Sequence, residues 1–182
     1  MTLAIVTTYY NEVETIDEVV AAIAKTSSPF AFYLVDDCSS KPPKTVIERY
    51  GKEDWFHYLR NDENKGPVFG LNRGIKAALA NGAEFIAIND SDDISYENRF
   101  TEQLIALKSD PSLMIIGGAA DFTDQETGQL LWNTQHPPAI MKRYTGKIKS
   151  IPPLSIQPLH TELKFLRKLD FTEKASMHSI MR

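Results

Sequence analysis

The residues best suited to chemistry stand together at Asp90-Ser91-Asp92-Asp93. They follow Glu84-Phe85-Ile86-Ala87-Ile88-Asn89, an apolar run of the right length for a strand buried on both faces. Ionised carboxylates are costly to desolvate, so they must stop at the strand's carboxyl end and face water, a cation or a ligand. Clustered carboxylates raise one another's pKa unless a cation intervenes. Oxygen-only ligands select a hard ion, Mg2+ or Mn2+, and such a site keeps positions open for substrate phosphates. A D-x-D met at random is usually a solvated turn. This one stands where a buried strand ends, and in open α/β sheets that edge is where ligands bind.

Two more polar clusters can reach the same edge. One is Thr8-Tyr9-Tyr10-Asn11-Glu12 and the other Asp36-Asp37-Cys38-Ser39-Ser40. Asp36 and Asp37 have two readings: a turn before the Pro42 helix, or carboxylates that accept hydrogen bonds from a base or ribose. Lys65-Gly66 offers a cation and a bare backbone to phosphate. Arg60 and Arg73 read as surface charges. His57 reads as packed in a strand, and His136, His160 and His178 lack metal-ligand spacing. Cys38 adjoins two carboxylates, which disfavours a thiolate and a catalytic cysteine.

These clusters need a frame, and the hydrophobic pattern supplies one. Leu3 to Thr8 reads as a first strand. Asn11 with Glu14 reads as the capping box of a helix whose apolar face is Ile16, Val19, Val20 and Ile23. Phe30 to Val35 and Trp55 to Leu59 read as strands, with a helix from Lys44 to Tyr50 between them, stopped by Gly51. Val68, Leu71, Ile75 and Leu79 mark a helix closed by Asn81-Gly82. After the acidic strand, Ser95 is the expected cap of a helix that buries Phe100, Leu104 and Leu107. Leu113 to Gly117 reads as a fifth strand, and Phe122 to Trp132 as a hairpin around Thr127-Gly128. Beyond Gln135 prolines interrupt the pattern, and only Thr161 to Leu169 reads as helix. The alternation predicts an α/β fold: a mostly parallel, Rossmann-like sheet with helices on both faces and a small antiparallel hairpin after the acidic motif. In such a sheet the three clusters share one edge.

Composition narrows the functional classes. The 182 residues suit one domain, and 42% hydrophobic with 24% charged residues is ordinary for a globular protein with a real core. A formal net charge of −4 with no basic block argues against a nucleic acid polymer as partner. One cysteine excludes an internal disulfide and fits a reducing compartment. Met1 to Val6 lacks the basic n-region and long h-region of a signal peptide, and no apolar run is long enough to span a bilayer. A cytoplasmic location is expected, with peripheral attachment at the inner face of the membrane as its variant. A phosphotransferase of the haloacid-dehalogenase type would need its nucleophilic Asp on an early strand. A receiver domain would need its acidic pair after strand one, where Thr8-Tyr9-Tyr10 stand.

Four segments in order resemble the nucleotide-sugar glycosyltransferases of family 2, which have the GT-A fold. Val6-Thr7-Thr8-Tyr9-Tyr10-Asn11-Glu12 is similar to the family's opening strand and T-x-Y-N-like loop. Leu34-Val35-Asp36-Asp37-Cys38-Ser39-Ser40 is similar to its V-D-D-G-S-T segment, with Cys38 where Gly is common. Arg60-Asn61 through Asn64-Lys65-Gly66, then Leu71-Asn72-Arg73-Gly74-Ile75, resembles its N-x-G loop and N-x-G-hydrophobic helix, with Leu71 where Arg is common. Ile88-Asn89-Asp90-Ser91-Asp92-Asp93 resembles its L-D-x-D-D metal motif. The resemblance covers about residues 1–120.

It implies an inverting transfer of a sugar from a nucleoside diphosphate, a UDP-sugar as first guess, to a hydroxyl of a glycan or lipid-linked acceptor, as in polysaccharide biosynthesis. Carried over by position, it implies Thr8, Tyr9, Asp36, Asp37, Lys65, Gly66 and Asp90 at the donor, and Asp90, Asp92 and Asp93 at Mg2+ or Mn2+. Residues 1–135 become the donor-binding region. Residues 136–182 become a short acceptor-side or oligomerisation segment of the same domain. The family's general base lies in that half, where Glu162, Asp170 and Glu173 are the available carboxylates and none matches clearly. Two readings therefore stand: a metal-dependent transferase, or a catalytically incomplete nucleotide-sugar-binding module that needs a partner chain, including a second copy of itself.

Overall fold

A computed structural model describes residues 2–124, 127–134, 140–142 and 165–167. The elements run β1 (Thr2–Tyr9), α1 (Ile16–Ile23), β2 (Phe30–Asp36), α2 (Lys44–Tyr50), β3 (Phe56–Arg60), α3 (Pro67–Ala80), β4 (Ala83–Ile88), α4 (Arg99–Ser109), β5 (Leu113–Ile116), β6 (Asp121–Thr123), β7 (Leu130–Asn133), β8 (Ile140–Lys142) and β9 (Phe165–Arg167). A seven-stranded sheet has the order β3-β2-β1-β4-β9-β5-β8, and β6 pairs with β7 in a separate hairpin. β3, β2, β1 and β4 are mutually parallel, while β9 runs antiparallel to both β4 and β5.

This order creates a switch point. From β1 the chain steps outward to β2 and β3, then returns to place β4 on the other side of β1. The crevice beyond the carboxyl ends of β1 and β4 is where such sheets bind ligands. It brings Thr8 to Asn11 beside Asn89 to Asp93.

The sheet is buried on both faces by alternating residues. Leu3, Ile5 and Tyr9 of β1 belong to one core with Ile16, Val19, Val20 and Ile23 of α1 and Phe100, Leu104 and Leu107 of α4. Ala4 and Val6 belong to the other core with Leu71, Ile75 and Ala78 of α3. Helix α3 comes unusually close because two of its inward residues are glycines. A β-carbon at Gly74 would lie 2.4 Å from Val6 Cγ1, and one at Gly70 would lie 2.7 Å from Thr8 Cγ2. That approach sets the helix's first turn, at Gly66-Pro67, against the strand ends.

Three local expectations are corrected. Asn11 does not cap α1. It adopts φ 62°, its side-chain oxygen accepts from Lys41 N–H and Ser40 Oγ, and the helix starts later at Ile16. Ser95 does not cap α4, whose N-cap is Asn98; its hydroxyl is used at the end of β4 instead. Thr161 to Leu169 is not a continuous helix, because 165–167 is strand β9. A strand there fills the gap between β4 and β5 and satisfies their backbone groups, a tertiary demand that outweighs local periodicity. Among the described residues no helix is long and apolar enough to cross a membrane.

Candidate active site

The corner is assembled by cross-links between strand ends. Backbone bonds run from Asp37 N–H to Tyr9 O (2.9 Å), from Asn61 N–H to Asp36 O (2.8 Å) and from Asn89 N–H to Val6 O (3.1 Å). They extend the parallel ladder past the strands and hold four loops side by side.

Asp36 and Asp37 form the base of the β2 side. Asp36 is fully buried, and its oxygens accept from Ser39 N–H (2.8 Å), Tyr58 OH (2.5 Å) and the Arg60 guanidinium. Burial, reinforced by the bond to Asp36, pushes the Tyr58 hydroxyl up to about 12, so it stays a donor. Asp37 is 3% exposed and accepts from Asn61 Nδ2 (2.6 Å) and from the backbone N–H groups of Lys65 (3.0 Å) and Gly66 (2.7 Å). Burial alone would raise its pKa, but these donors, led by Lys65 N–H, together hold it below the ordinary carboxylate value. Gly66, at φ 82°, is the residue that can turn its N–H inward here.

Arg60 and Arg73 are not idle surface charges, which corrects the sequence reading. Arg60 also donates to Ser39 O (2.9 Å), and Arg73 donates to Arg60 O (2.6 Å) and Asn61 Oδ1 (2.5 Å). The partners come from other strands, so nothing in the local pattern announces them. Lys65 holds the corner through its backbone; its ammonium pairs with Glu63 at 3.0 Å and lies over the Phe69 ring. Tyr9, expected at a nucleoside pocket, turns its ring into the core and donates from its hydroxyl to Lys41 O at 2.6 Å. Tyr10 is the exposed member of the pair, and Thr8 is half-buried under Gly70.

The acidic loop is fixed from behind. Asn89 is fully buried at the end of β4. Its amide donates to Asp90 O (2.8 Å) and Asp93 O (2.9 Å), and its oxygen accepts from Ser95 Oγ (2.5 Å) and Arg99 Nη1 (2.8 Å). Arg99 also donates to Ile88 O at 3.2 Å. Burial pulls the Arg99 pKa down to about 10, opposed by the charges of Asp93 and Asp90, so the guanidinium remains charged at neutral pH. From the other side, Thr15 Oγ1 donates to Ser91 O at 2.9 Å. Asp90 and Asp92 are exposed on this pinned loop, while Asp93 is half-buried. Among the described residues no three carboxylate, imidazole or thiol groups converge on one metal position. Glu162, Asp170 and Glu173 lie outside the described residues.

Sequence reasoning missed Asn89, Ser95 and Arg99 as a unit. A signal existed: Arg99 opens α4, where the helix dipole disfavours a cation, so another partner had to explain it.

An acidic corner at the switch point of a mostly parallel sheet lies where open α/β sheets bind their ligands. The comparisons make it specific. The profile described as Glycosyl transferase family 2 matches residues 4–171, and the chain belongs to that family. The bifunctional glycosyltransferase pgtA of Dictyostelium discoideum is 34% identical over 97 residues, 52% of this chain and 13% of pgtA. S. aureus TarS 1-349, in complex with UDP-GlcNAc, superposes with TM-score 0.57 at 24% identity, over 63% of this chain and 33% of TarS 1-349. The mannosyltransferase PcManGT of Pyrobaculum calidifontis, in complex with GDP-Man and Mn2+, gives 0.55 at 19%, over 62% and 34%. At these identities the two structures establish the GT-A-like fold. The chain spans about a third of those two and a smaller share of pgtA.

Proposed function

We propose that this chain moves a sugar from a nucleoside-diphosphate sugar, a UDP-sugar in the first instance, to a hydroxyl of a glycan or lipid-linked acceptor, with inversion at the anomeric carbon. The observation that carries the reading is that Asp90 and Asp92 stand exposed on a loop pinned at the crevice of β1 and β4 in a family 2 sheet. UDP-GlcNAc on TarS and GDP-Man on PcManGT support a nucleotide sugar as ligand.

Two exposed carboxylates, Asp90 and Asp92, offer the oxygen chemistry that a hard divalent cation takes, with its other positions left to water and phosphate. Both exposed side chains offer carboxylate oxygens, and their loop is held by Asn89, Arg99 and Thr15 while its outer face meets solvent. Asp90 and Asp92 would hold Mg2+ or Mn2+, with Asp93 in support beside Arg99. The ion would supply neutralisation of the charge that builds on the leaving diphosphate. An acidic protein otherwise repels a diphosphate.

The chain's own groups do the rest. Thr8, Asp37 and the Lys65-Gly66 backbone would border the nucleoside. Asp36 and Tyr9 would shape that border from behind, since both are buried and hydrogen-bonded. Residues 1–135 would bind the donor, and 136–182 would form the acceptor side. The setting we envisage is the cytoplasm, with peripheral attachment at the inner face of the membrane as its variant.

Calorimetry with nucleotide sugars, with and without Mn2+, tests the reading. Binding that needs the metal and is lost in Asp92→Ala supports it. Absence of binding under every condition sinks it.

A further inference from the structure

The hairpin after β5 carries apolar surface in the open. Leu130, Leu131 and Trp132 follow one another on β7 and are 55%, 65% and 54% exposed. A regular strand turns successive side chains to opposite faces, so that one face can be buried and the other left to water. Here the alternation is broken. Trp132 stands opposite Phe122 and Leu130 opposite Thr123, which leaves Leu131 as the extra residue of a bulge. Three neighbouring apolar side chains therefore meet solvent together. A patch of that kind marks an interaction site more often than chance.

The hairpin is fixed from its other side. Tyr96 OH donates to Asp121 Oδ2, which ties β6 to the segment after the acidic loop, and Asn133 Nδ2 donates to Asp121 Oδ1. At the base, Thr134 N–H donates to Ala120 O at 3.0 Å and Ala120 N–H to Thr134 Oγ1 at 2.7 Å. The Trp132 ring is braced on Phe122 at 5.1 Å between centroids, so it is presented as a rigid anchor. Among the described residues β7 pairs with β6 alone. Two strands by themselves are marginal in water, and a further packing partner is what stabilises them.

Charge selects the partner. Thr127 to Thr134 carries no charged residue, in a chain whose net charge is −4. Two copies repel over most of their surface, and this neutral patch is where they can meet without opposing like charges. A twofold axis asks for such a self-complementary patch. An unlike partner steered by charge finds nothing here to pair with. A membrane surface is disfavoured, because Asp121 on β6 and Asp124 at its end flank the patch, where lipid-binding segments carry Lys and Arg. We propose that Leu130, Leu131 and Trp132 form the contact between two copies of this chain, related by a twofold axis. The proposal is independent of the transferase reading.

The test is sedimentation equilibrium of the full chain from about 1 to about 300 μM, since a patch this small predicts a reversible dimer in the micromolar range. Leu131→Glu places a carboxylate from each copy in the same contact and is expected to raise the dimer Kd at least about 30-fold. Leu131→Ser, expected to raise it about 10-fold, covers the case in which the charge disturbs the hairpin itself. In Trp55→Phe, Trp132 is the one tryptophan left, and its emission should shift to the blue as the dimer forms. A wild-type chain that stays monomeric throughout overturns the proposal. So does a dimer that both Leu131 variants leave unchanged, or one that forms with no change in Trp132 emission, which would put the contact elsewhere. A monomer whose Trp132 emission is already blue-shifted overturns it in favour of cover by this chain's own residues. A monomer that sediments with vesicles of phosphatidylglycerol and phosphatidylcholine overturns it in favour of lipid.

Discussion

Arg99 Nη1 donates to Asn89 Oδ1 at 2.8 Å, and this bond joins the first residue of α4 to the last turn of chain before the acidic loop. Asn89 in turn grips the carbonyls on both sides of Ser91-Asp92. The loop that carries Asp90 and Asp92 is therefore held from behind by the Asn89 amide and the Arg99 guanidinium.

Replacing Arg99 by Met should loosen that loop, and it also removes the positive charge that faces Asp93 and Asp90. It leaves Asn89 with Ser95 as the remaining side-chain donor to its oxygen, at a stability cost of about 1–3 kcal/mol. Metal-dependent nucleotide binding should weaken by about 10–100-fold, the range found when groups behind metal ligands are removed. Urea unfolding and calorimetry measure the two effects separately. Unchanged binding in a folded variant would show that the loop holds its shape without the guanidinium.

Gly74→Ala should destabilise the fold by about 1–3 kcal/mol through overpacking. The added carbon would meet Val6 Cγ1 at 2.4 Å and Val35 Cγ2 at 3.0 Å, both on the sheet. Ala is otherwise the better helix residue, so a gain in stability would mean that α3 can lift from β1 and β2 at little cost.

Acid should act through Asp37. Its folded pKa is depressed, so its stabilising contribution is fully present above the ordinary carboxyl range and is lost as pH falls through the folded value. Wild type should therefore lose more stability between neutral pH and pH ~3 than Asp37→Asn, which cannot titrate there. Parallel slopes for the two proteins would remove Asp37 from the acid response.

Cys38 occupies φ 60°, a left-handed conformation that costs a residue with a β-carbon about 1–2 kcal/mol. A glycine would adopt that φ without the strain of a β-carbon. Cys38→Val should destabilise by about 1–2 kcal/mol, because a branched side chain fits this region worse. Cys38→Gly should be neutral or stabilising, since relief of strain offsets the added freedom of the unfolded chain. Thermal unfolding of both variants checks the ranking.

Much of the frame was legible in the sequence because it depends on local pattern. The apolar face of α1 and the limits of α2 are buried and bounded where the periodicity and Gly51 put them. The strands before the three polar clusters end at one edge, as a parallel sheet requires. What the sequence hid are choices made by distant partners. Asn11 looks like a cap by its spacing to Glu14, yet the β2 loop offers it better donors. Arg60 and Arg73 look solvated until β2 supplies Asp36 and the β3 loop supplies Asn61. Asp121 sits in a short hairpin strand with no motif around it, and only the fold brings Tyr96 to it.

We propose that Asp90 and Asp92, exposed on the loop after β4, hold a cation that holds a nucleotide. The most direct measurement is titration calorimetry of the chain with UDP and GDP, each with and without Mn2+, repeated on Asp92→Ala. The account expects one nucleotide to bind only with the metal, and that binding to disappear in the variant. Binding that ignores both the metal and Asp92, or no binding of either nucleotide, would contradict it.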